Sequence, residues 1–258
     1  MGLHFGRRLR AGSGGAPQDK GPAGGETAKV LKIGTDAAFP PFEMYQKETR
    51  AYSGYDIELI RAVAQNMGYS DIEIVDSDMK SLLKDLNDKK FDVAVRCLAA
   101  TDNRRTTVDF TDPYLMGGYT VVVSAKYDGD TGKDMLAGKK IAAEKDASVM
   151  HTLKDMHYMD LVEETTTLNA IRDVADGEAD AAVMSKFTAA FYIANGYGDK
   201  VKAYPGPFEG KDVPVAFAVR KDDSNFHAKL NAALGEFRRT TNAKQLEKSY
   251  FGEVLSRI

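Results

Sequence analysis

The chain has 258 residues, 43% of them hydrophobic, and a formal net charge of −3. This weakly acidic balance argues against a nucleic-acid binder, which relies on clustered Lys and Arg, and no apolar run approaches the roughly 20 residues that cross a bilayer. The single cysteine, Cys97, excludes an intrachain disulfide, and the spacing of His151 and His157 does not suit one helical face, so we expect no metal site and no cofactor.

Residues 1–28 differ in composition from the rest of the chain. They are rich in Gly, Ala and Pro, show no hydrophobic periodicity and lack the apolar core of a secretory signal. We therefore expect a disordered leader or a cloning-derived linker, with a transit peptide as the alternative because of three arginines within it. The segment carries four basic and two acidic residues, so the remaining chain has a net charge of −5.

Predicted strands and helices alternate from residue 29 onward. The segment 54–69 is predicted to be a helix because Ile57, Ile60, Ala64 and Met67 fall on one face and Gly68 closes it. The predicted elements of this first part are a strand at 30–36, the helix at 54–69, a strand at 71–75, a helix at 79–90 and a strand at 91–95. Such alternation predicts right-handed βαβ units around a mostly parallel sheet.

The alternation resumes in the second part of the chain. Its predicted elements are strands at 118–125, 139–144, 159–164, 179–184 and 201–204 and helices at 147–156, 167–177 and 185–198, followed by a strand at 213–221 and helices at 224–241 and 242–255. Two Pro- and Gly-containing passages, 112–118 and 205–214, bracket the middle of the chain. If both passages cross between lobes, the middle forms one lobe and the two ends form the other; the alternative is a single doubly wound sheet.

Several motifs in the chain resemble those of one known family. They are, in order, IGTDAAFPPFEM, SGYDIELIRAVAQNMG, FDVAV, TDNRRTTVDFTDPY, LAGKKIAAEKDAS, DGEADAAV and KSYFG. Together they resemble the periplasmic polar amino-acid-binding proteins of ABC importers, the family 3 solute-binding proteins, over about residues 30–252. The resemblance implies an α/β fold of the type II periplasmic-binding-protein kind, with a discontinuous lobe 1, two hinge crossings and a ligand cleft between the lobes.

We predict the domain boundaries from these passages and from the resemblance. Lobe 1 is expected to comprise 29–113 and 214–258, and lobe 2 to comprise 119–207. The hinge segments are expected at 114–118 and 208–213.

Polar residues end or directly follow four of the predicted strands. They are Asp36, Arg96 with Cys97, Glu144 and Ser185. Because ligands in open α/β sheets bind beyond the carboxyl ends of the strands, we expect these residues at one rim that faces the other lobe.

The resemblance implies that Arg104 binds the α-carboxylate of a ligand through a two-pronged salt bridge, which suits the planar and permanently charged guanidinium. The alternative is a surface arginine paired with Asp102 or Asp109, and Arg105 is expected to be solvated. The backbone N–H groups of Ala99 and Ser148 are expected to bind the same carboxylate, at positions where the family usually has Thr and Gly. Ordinary helix capping is the alternative.

The chain departs from the family at the position of Ser185. Family members usually place an aspartate there, which neutralises the ammonium group of the ligand. Asp36 and Glu144 are the candidate replacements, and solvated loop carboxylates are the alternative for both.

A second departure is the pair Arg96-Cys97, where the family usually has small residues. Arg96 is expected either to enter the cleft, which requires an anionic partner from the protein or the ligand, or to pair with a surface carboxylate.

The resemblance places Phe39 and Met79 against the ligand side chain, where aromatic and thioether groups supply apolar contact area. Tyr45 has weaker support and is expected in the core of lobe 1. Phe42 and Tyr55 are also assigned to the core, and Tyr114 to the hinge.

The leading functional hypothesis is non-catalytic capture of a small carboxylate, first of all a polar amino acid, by hinge closure. The resemblance implies delivery to an ABC permease by a monomer that is periplasmic or anchored outside the cytoplasmic membrane. The alternatives are a binder of another organic carboxylate, a dehydratase of the cyclohexadienyl or arogenate kind that uses Glu144 and Arg96, and a ligand-sensing domain of a receptor.

Overall fold

The computed structural model describes residues 29–145 and 147–251. The predicted leader at 1–28, Asp146 and the last residues of the predicted lobe 1, 252–258, lie outside this range. In the described part of the chain, no helix combines the length and apolar character that a bilayer crossing requires.

The secondary structure consists of fifteen strands and eight α-helices within the described residues. The strands are β1 Val30–Thr35, β2 Ala38–Phe39, β3 Glu43–Gln46, β4 Ala51–Ser53, β5 Asp71–Asp76, β6 Val93–Ala94, β7 Asp109–Phe110, β8 Leu115–Gly117, β9 Tyr119–Ser124, β10 Lys140–Glu144, β11 Asp160–Glu164, β12 Ala181–Ser185, β13 Val201–Tyr204, β14 Val213–Val215 and β15 Ala218–Val219. The helices are α1 Tyr55–Asn66, α2 Leu82–Asn87, α3 Asp102–Arg105, α4 Val149–Met156, α5 Thr167–Asp176, α6 Lys186–Tyr192, α7 Ser224–Arg238 and α8 Thr241–Phe251.

Two five-stranded sheets form the centres of two lobes. The first sheet has the order β5-β1-β6-β15-β7 and the second has the order β11-β10-β12-β9-β13. Strand β1 is parallel to β5 and β6, whereas β15 joins the first sheet antiparallel from the far end of the chain. Lobe 1 is therefore discontinuous, and the chain leaves it after β7 and returns at β15.

The core of lobe 1 follows from the apolar face of α1. Ile57, Ile60 and Ala64 are at most 1% exposed, as the helical periodicity predicts. Burial of each large aliphatic side chain contributes about 1.5–3 kcal/mol. Gly54 precedes the helix at φ 128°, and a Cβ there would lie 2.2 Å from the carbonyl oxygen of Phe42. This position therefore requires glycine.

The predicted strand at 213–221 is wrong as a single element, because it divides between two sheets. Strand β14 pairs antiparallel with β8 in a separate two-stranded sheet at the crossing between the lobes, and β15 enters the first sheet. Between them, the Ala216 N–H donates to the Leu98 carbonyl at 3.0 Å and the Phe217 N–H donates to the Thr111 hydroxyl at 3.2 Å. The run VPVAFAV is apolar throughout, so nothing in its sequence indicates that its two halves pair with different sheets.

The passage around Phe39-Pro40-Pro41 contains strands that were not predicted from the sequence. Strands β2, β3 and β4 form a small antiparallel sheet there. Tyr45, which was expected in the core, is 45% exposed and packs against Tyr52 with ring centroids 5.0 Å apart. Phe42 and Tyr55 are buried as expected.

Candidate ligand-binding cleft

A cavity of about 120 Å³ lies between the two lobes. Ten residues are predicted from the sequence to bind the ligand, and nine of them line this cavity: Phe39, Met79, Arg96, Cys97, Ala99, Arg104, Glu144, Ser148 and Ser185. The tenth, Asp36, lines an adjoining cavity, which shares Phe39, Met79, Arg96, Glu144 and Thr167 with the first. The ends of β10 and β12 and the segments after β1 and β6 thus meet at one cleft.

Arg104 enters this cleft from the short helix α3. The hydroxyl of Thr101 caps the helix and accepts a hydrogen bond from the Arg104 N–H at 3.4 Å. The Arg104 Nη1 donates to the Ala99 carbonyl at 2.9 Å, and burial lowers the pKa of the guanidinium. Among the described residues, Arg104 forms no ion pair with Asp102, Asp109 or any other carboxylate. Most of its N–H groups therefore remain available to an anion.

Two other residues of the cavity wall offer backbone N–H groups. Those of Ala99 and Ser148 have no hydrogen-bond partner within the described parts of the chain. Ser148 immediately precedes α4, whose first N–H groups carry the positive end of the helix dipole. One arginine and two amide donors from opposite lobes can therefore coordinate a carboxylate placed between them.

Arg96 forms a largely buried ion pair with Asp36. Its Nε lies 2.9 Å from the Asp36 Oδ2, and the two side chains are only 16% and 18% exposed. The Arg96 guanidinium carbon lies 5.4 Å from the centroid of the Phe39 ring. Asp36 thus supplies the anionic partner that a cleft arginine needs, and its own charge is already compensated.

Glu144 occupies the end of β10 beside the start of α5. Its Oε2 accepts hydrogen bonds from the Thr167 N–H at 3.2 Å and from the Thr167 hydroxyl at 2.5 Å. No Lys or Arg of the described ranges pairs with it. Ser185 lies at the end of β12 on the same cavity and carries no charge. Glu144 is therefore the carboxylate in this cavity wall that lacks a cationic partner.

Two cavity residues with polar side chains, Tyr119 and Thr167, were not predicted from the sequence. The Tyr119 hydroxyl contacts the Ser148 hydroxyl, and burial raises the pKa of the phenol. Tyr119 directly follows Gly117-Gly118, so its place after the hinge could have indicated it. Thr167 could have been found as a hydroxyl residue at a predicted helix start.

Two fully buried carboxyl groups, Glu43 and Asp56, lie behind the cavity wall. The Asp56 Oδ2 accepts hydrogen bonds from the Cys97 N–H at 2.6 Å and from the Tyr114 hydroxyl at 2.7 Å. Burial raises the pKa of Asp56 from 3.8 to about 7, and burial together with the nearby Asp56 charge raises the pKa of Glu43 well above its usual value. The other titratable groups that face the pair are Asp36, Tyr55, Arg96, Cys97 and Tyr114.

These raised pKa values predict that stability depends on pH. A carboxyl group whose pKa is higher in the folded state stabilises the fold below its unfolded pKa, and this contribution is lost as the pH rises through the folded value. Relative to a Glu43→Gln/Asp56→Asn variant, the free energy of unfolding of the wild type should fall as the pH rises from about 4 to about 7. Urea unfolding at several pH values measures this difference, and a constant or rising difference would contradict the assignment.

Comparisons with known proteins agree with this architecture. Residues 31–253 match the family described as "Bacterial extracellular solute-binding proteins, family 3". The L-cystine-binding protein TcyA of Bacillus subtilis is 27% identical over 229 residues, which cover 88% of this chain and 83% of that protein. The arginine-binding extracellular protein ArtP of the same organism is 29% identical over 227 residues, with 86% of each chain covered.

A solved structure shows the same fold. An ancestral arginine-binding protein bound to arginine superposes with a TM-score of 0.74 at 28% identity, over 86% of this chain and 98% of its own. The two-lobe type II fold, the order of the motifs and the family match all lead to one assignment. The chain belongs to the bacterial extracellular solute-binding proteins of family 3, whose members bind solutes outside the cytoplasm.

Proposed function

We propose that this chain captures a polar amino acid between its two lobes and delivers it to an ABC permease outside the cytoplasmic membrane. The observation that carries the proposal is the Arg104 guanidinium, which lies in the interlobe cavity without a carboxylate partner among the described residues. A half-buried guanidinium of this kind is best satisfied by an anionic ligand. The N–H groups of Ala99 and Ser148, which have no hydrogen-bond partner among the described residues, support a carboxylate in particular.

The remaining contacts define the rest of the ligand. Glu144 is the proposed partner of its ammonium group, because Asp36 is committed to Arg96 and Ser185 carries no charge. Phe39 and Met79 are the proposed apolar contacts for its side chain. The ligand is therefore a zwitterion that spans from Arg104 to Glu144.

Closure is proposed to occur about the two segments that connect the lobes, 114–118 and 208–213. On this proposal lobe 1 comprises 29–113 and 214–258, and lobe 2 comprises 119–207. Strands β8 and β14 pair within this crossing, and the Lys186 ammonium lies 2.8 Å from the Asp212 carboxylate beside it. Because the groups proposed to donate hydrogen bonds to the ligand carboxylate come from both lobes, a bound ligand favours the closed arrangement. The permease would then recognise the closed monomer.

Isothermal titration calorimetry tests the proposal. The protein is unfolded and refolded to remove any bound solute, and is then titrated with the L-amino acids and with organic acids of matched size that lack the ammonium group. We expect at least one amino acid to bind in the micromolar range or tighter, and Glu144→Gln to weaken it without weakening the matched acid.

Two outcomes would contradict parts of this proposal. If no amino acid or organic acid binds, capture of a carboxylate is wrong. If the organic acids bind as tightly as the amino acids, the zwitterion assignment is wrong and the organic-carboxylate alternative replaces it. Prephenate belongs in the panel, because its turnover would favour the dehydratase alternative.

A further inference from the structure

The buried carboxyl pair behind the cleft has oxygen atoms without partners. Both Oε atoms of Glu43 and the Oδ1 of Asp56 are buried and accept no hydrogen bond from a described residue. The Asp56 N–H donates to the carbonyl of Phe42, the residue before Glu43, at 2.9 Å, so the two carboxyl groups extend from adjacent backbone. Two ionised carboxylates side by side in an apolar interior would be strongly destabilising, so the pair must hold a proton.

The hydrogen bonds indicate which residue holds it. Asp56 accepts from two donors, and donors to a carboxylate stabilise its charged form. Glu43 receives no such donor within the described residues. When the pair holds one proton, charge on Asp56 and the proton on Glu43 is therefore the favoured arrangement.

The two groups that donate to Asp56 belong to functionally different segments. Cys97 lies in the cavity wall between Arg96 and Ala99 and adopts φ 42°, a left-handed conformation that costs a non-glycine residue free energy. Tyr114 begins the crossing to lobe 2, where its N–H donates to the Val215 carbonyl at 2.9 Å. One carboxylate thus connects the cleft wall with the crossing.

We propose that Asp56 is a positioning residue for ligand capture: its carboxylate, with the proton held on Glu43, keeps the Cys97 segment and Tyr114 in the arrangement that binds ligand. Asp56 itself does not line the cavity. This inference rests on the proposed function, since it assigns a residue that supports the proposed carboxylate site.

A matched pair of variants tests the proton assignment. Glu43→Gln retains a neutral side chain and should bind ligand within about twofold of the wild type. Asp56→Asn removes the charged acceptor and should weaken binding about tenfold or more, because hydrogen bonds to charged groups are the stronger kind. Calorimetry at about pH 8, above the raised pKa of Asp56, measures the affinities. Circular dichroism at the same temperature and pH establishes that each variant is folded.

The affinity of Tyr114→Phe, alone and combined with Asp56→Asn, tests whether the two residues act together on ligand binding. If Tyr114 and Asp56 act as a unit, the double variant should bind no more weakly than Asp56→Asn alone, whereas independent effects would add. If Asp56→Asn fails to fold, Tyr114→Phe alone should weaken binding about threefold or more. Wild-type affinity in folded Asp56→Asn or Tyr114→Phe, or equal losses in Glu43→Gln and Asp56→Asn, would overturn the proposal.

Amide hydrogen exchange separates this inference from the proposed function. Measured by NMR without ligand, exchange of the Cys97 N–H should be about tenfold faster or more in Asp56→Asn than in Glu43→Gln. If the wild type binds no amino acid or organic acid, the proposed function fails, but this exchange still tests whether Asp56 fixes the cavity wall. Equal protection of the Cys97 N–H in both variants would overturn the positioning role.

Discussion

Replacing Arg104 with alanine is expected to abolish ligand binding in calorimetry, with a loss of affinity of about 100-fold or more. The guanidinium lies in the cavity, is held by one hydrogen bond to the Ala99 carbonyl, and has no described carboxylate partner. In the proposed complex it forms two charge-assisted hydrogen bonds to the ligand carboxylate, each contributing about 1.5–3 kcal/mol. Their loss corresponds to at least two orders of magnitude in the dissociation constant.

Arg105→Ala is the matched control for this experiment. Arg105 is the neighbouring arginine of the same helix, and its side chain is exposed, with its Nε 3.2 Å from the Ala100 carbonyl. It does not line the cavity, so its removal should leave the affinity unchanged. Arg104→Lys should bind weakly, because lysine keeps the charge but lacks the planar fork. Binding by folded Arg104→Ala within about tenfold of the wild type would contradict the assignment.

Replacing Arg96 with alanine is expected to change which ligand the protein prefers. The substitution removes the partner of Asp36 and leaves a largely buried carboxylate beside the cavity. A nearby cationic group would then gain several kcal/mol of attraction at an effective dielectric constant of about 20, of which desolvation offsets a part. Amino acids with a cationic side chain should therefore gain at least about tenfold in affinity relative to neutral ones.

The double variant Arg96→Ala/Asp36→Ala provides the control for charge. It removes the same arginine but leaves no unpaired carboxylate, so the gain for cationic ligands should disappear. Because loss of one partner of a buried pair costs about 3–5 kcal/mol, Arg96→Ala should also unfold at lower urea concentration than the double variant. An unchanged affinity ranking in Arg96→Ala would show that Arg96 has no part in ligand selection.

The convergence of several polar residues on one rim could be predicted from the sequence, because the end of each strand can be recognised separately. Asp36, Glu144 and Ser185 each follow or end an apolar run. Parallel pairing of β10 and β12 brings Glu144 and Ser185 to one rim, and Asp36 follows β1 in the sheet of the other lobe. The pairing of Asp36 with Arg96 was not predictable, since the two residues are sixty positions apart and either could have turned to solvent. Three-dimensional packing decided between the alternatives.

The buried carboxyl pair was also missed, for a related reason. Glu43 and Asp56 lie inside the quoted motifs PPFEM and GYDIE, where acidic residues look like ordinary surface positions. Only the close approach of strand β3 to helix α1 removes both from solvent. Similarly, Tyr45 is exposed because it lies in the small sheet β2-β3-β4. This sheet was not predicted, because Pro40 and Pro41 lie between β2 and β3 and proline is unfavourable in strands.

A crystal structure with the tightest ligand from the calorimetric panel would test the proposed mode of capture most directly. We expect the ligand in the interlobe cavity, with its carboxylate within hydrogen-bond distance of the Arg104 guanidinium and of the Ala99 and Ser148 N–H groups, and with its ammonium at Glu144. A carboxylate bound away from Arg104, or a ligand outside this cavity, would contradict it.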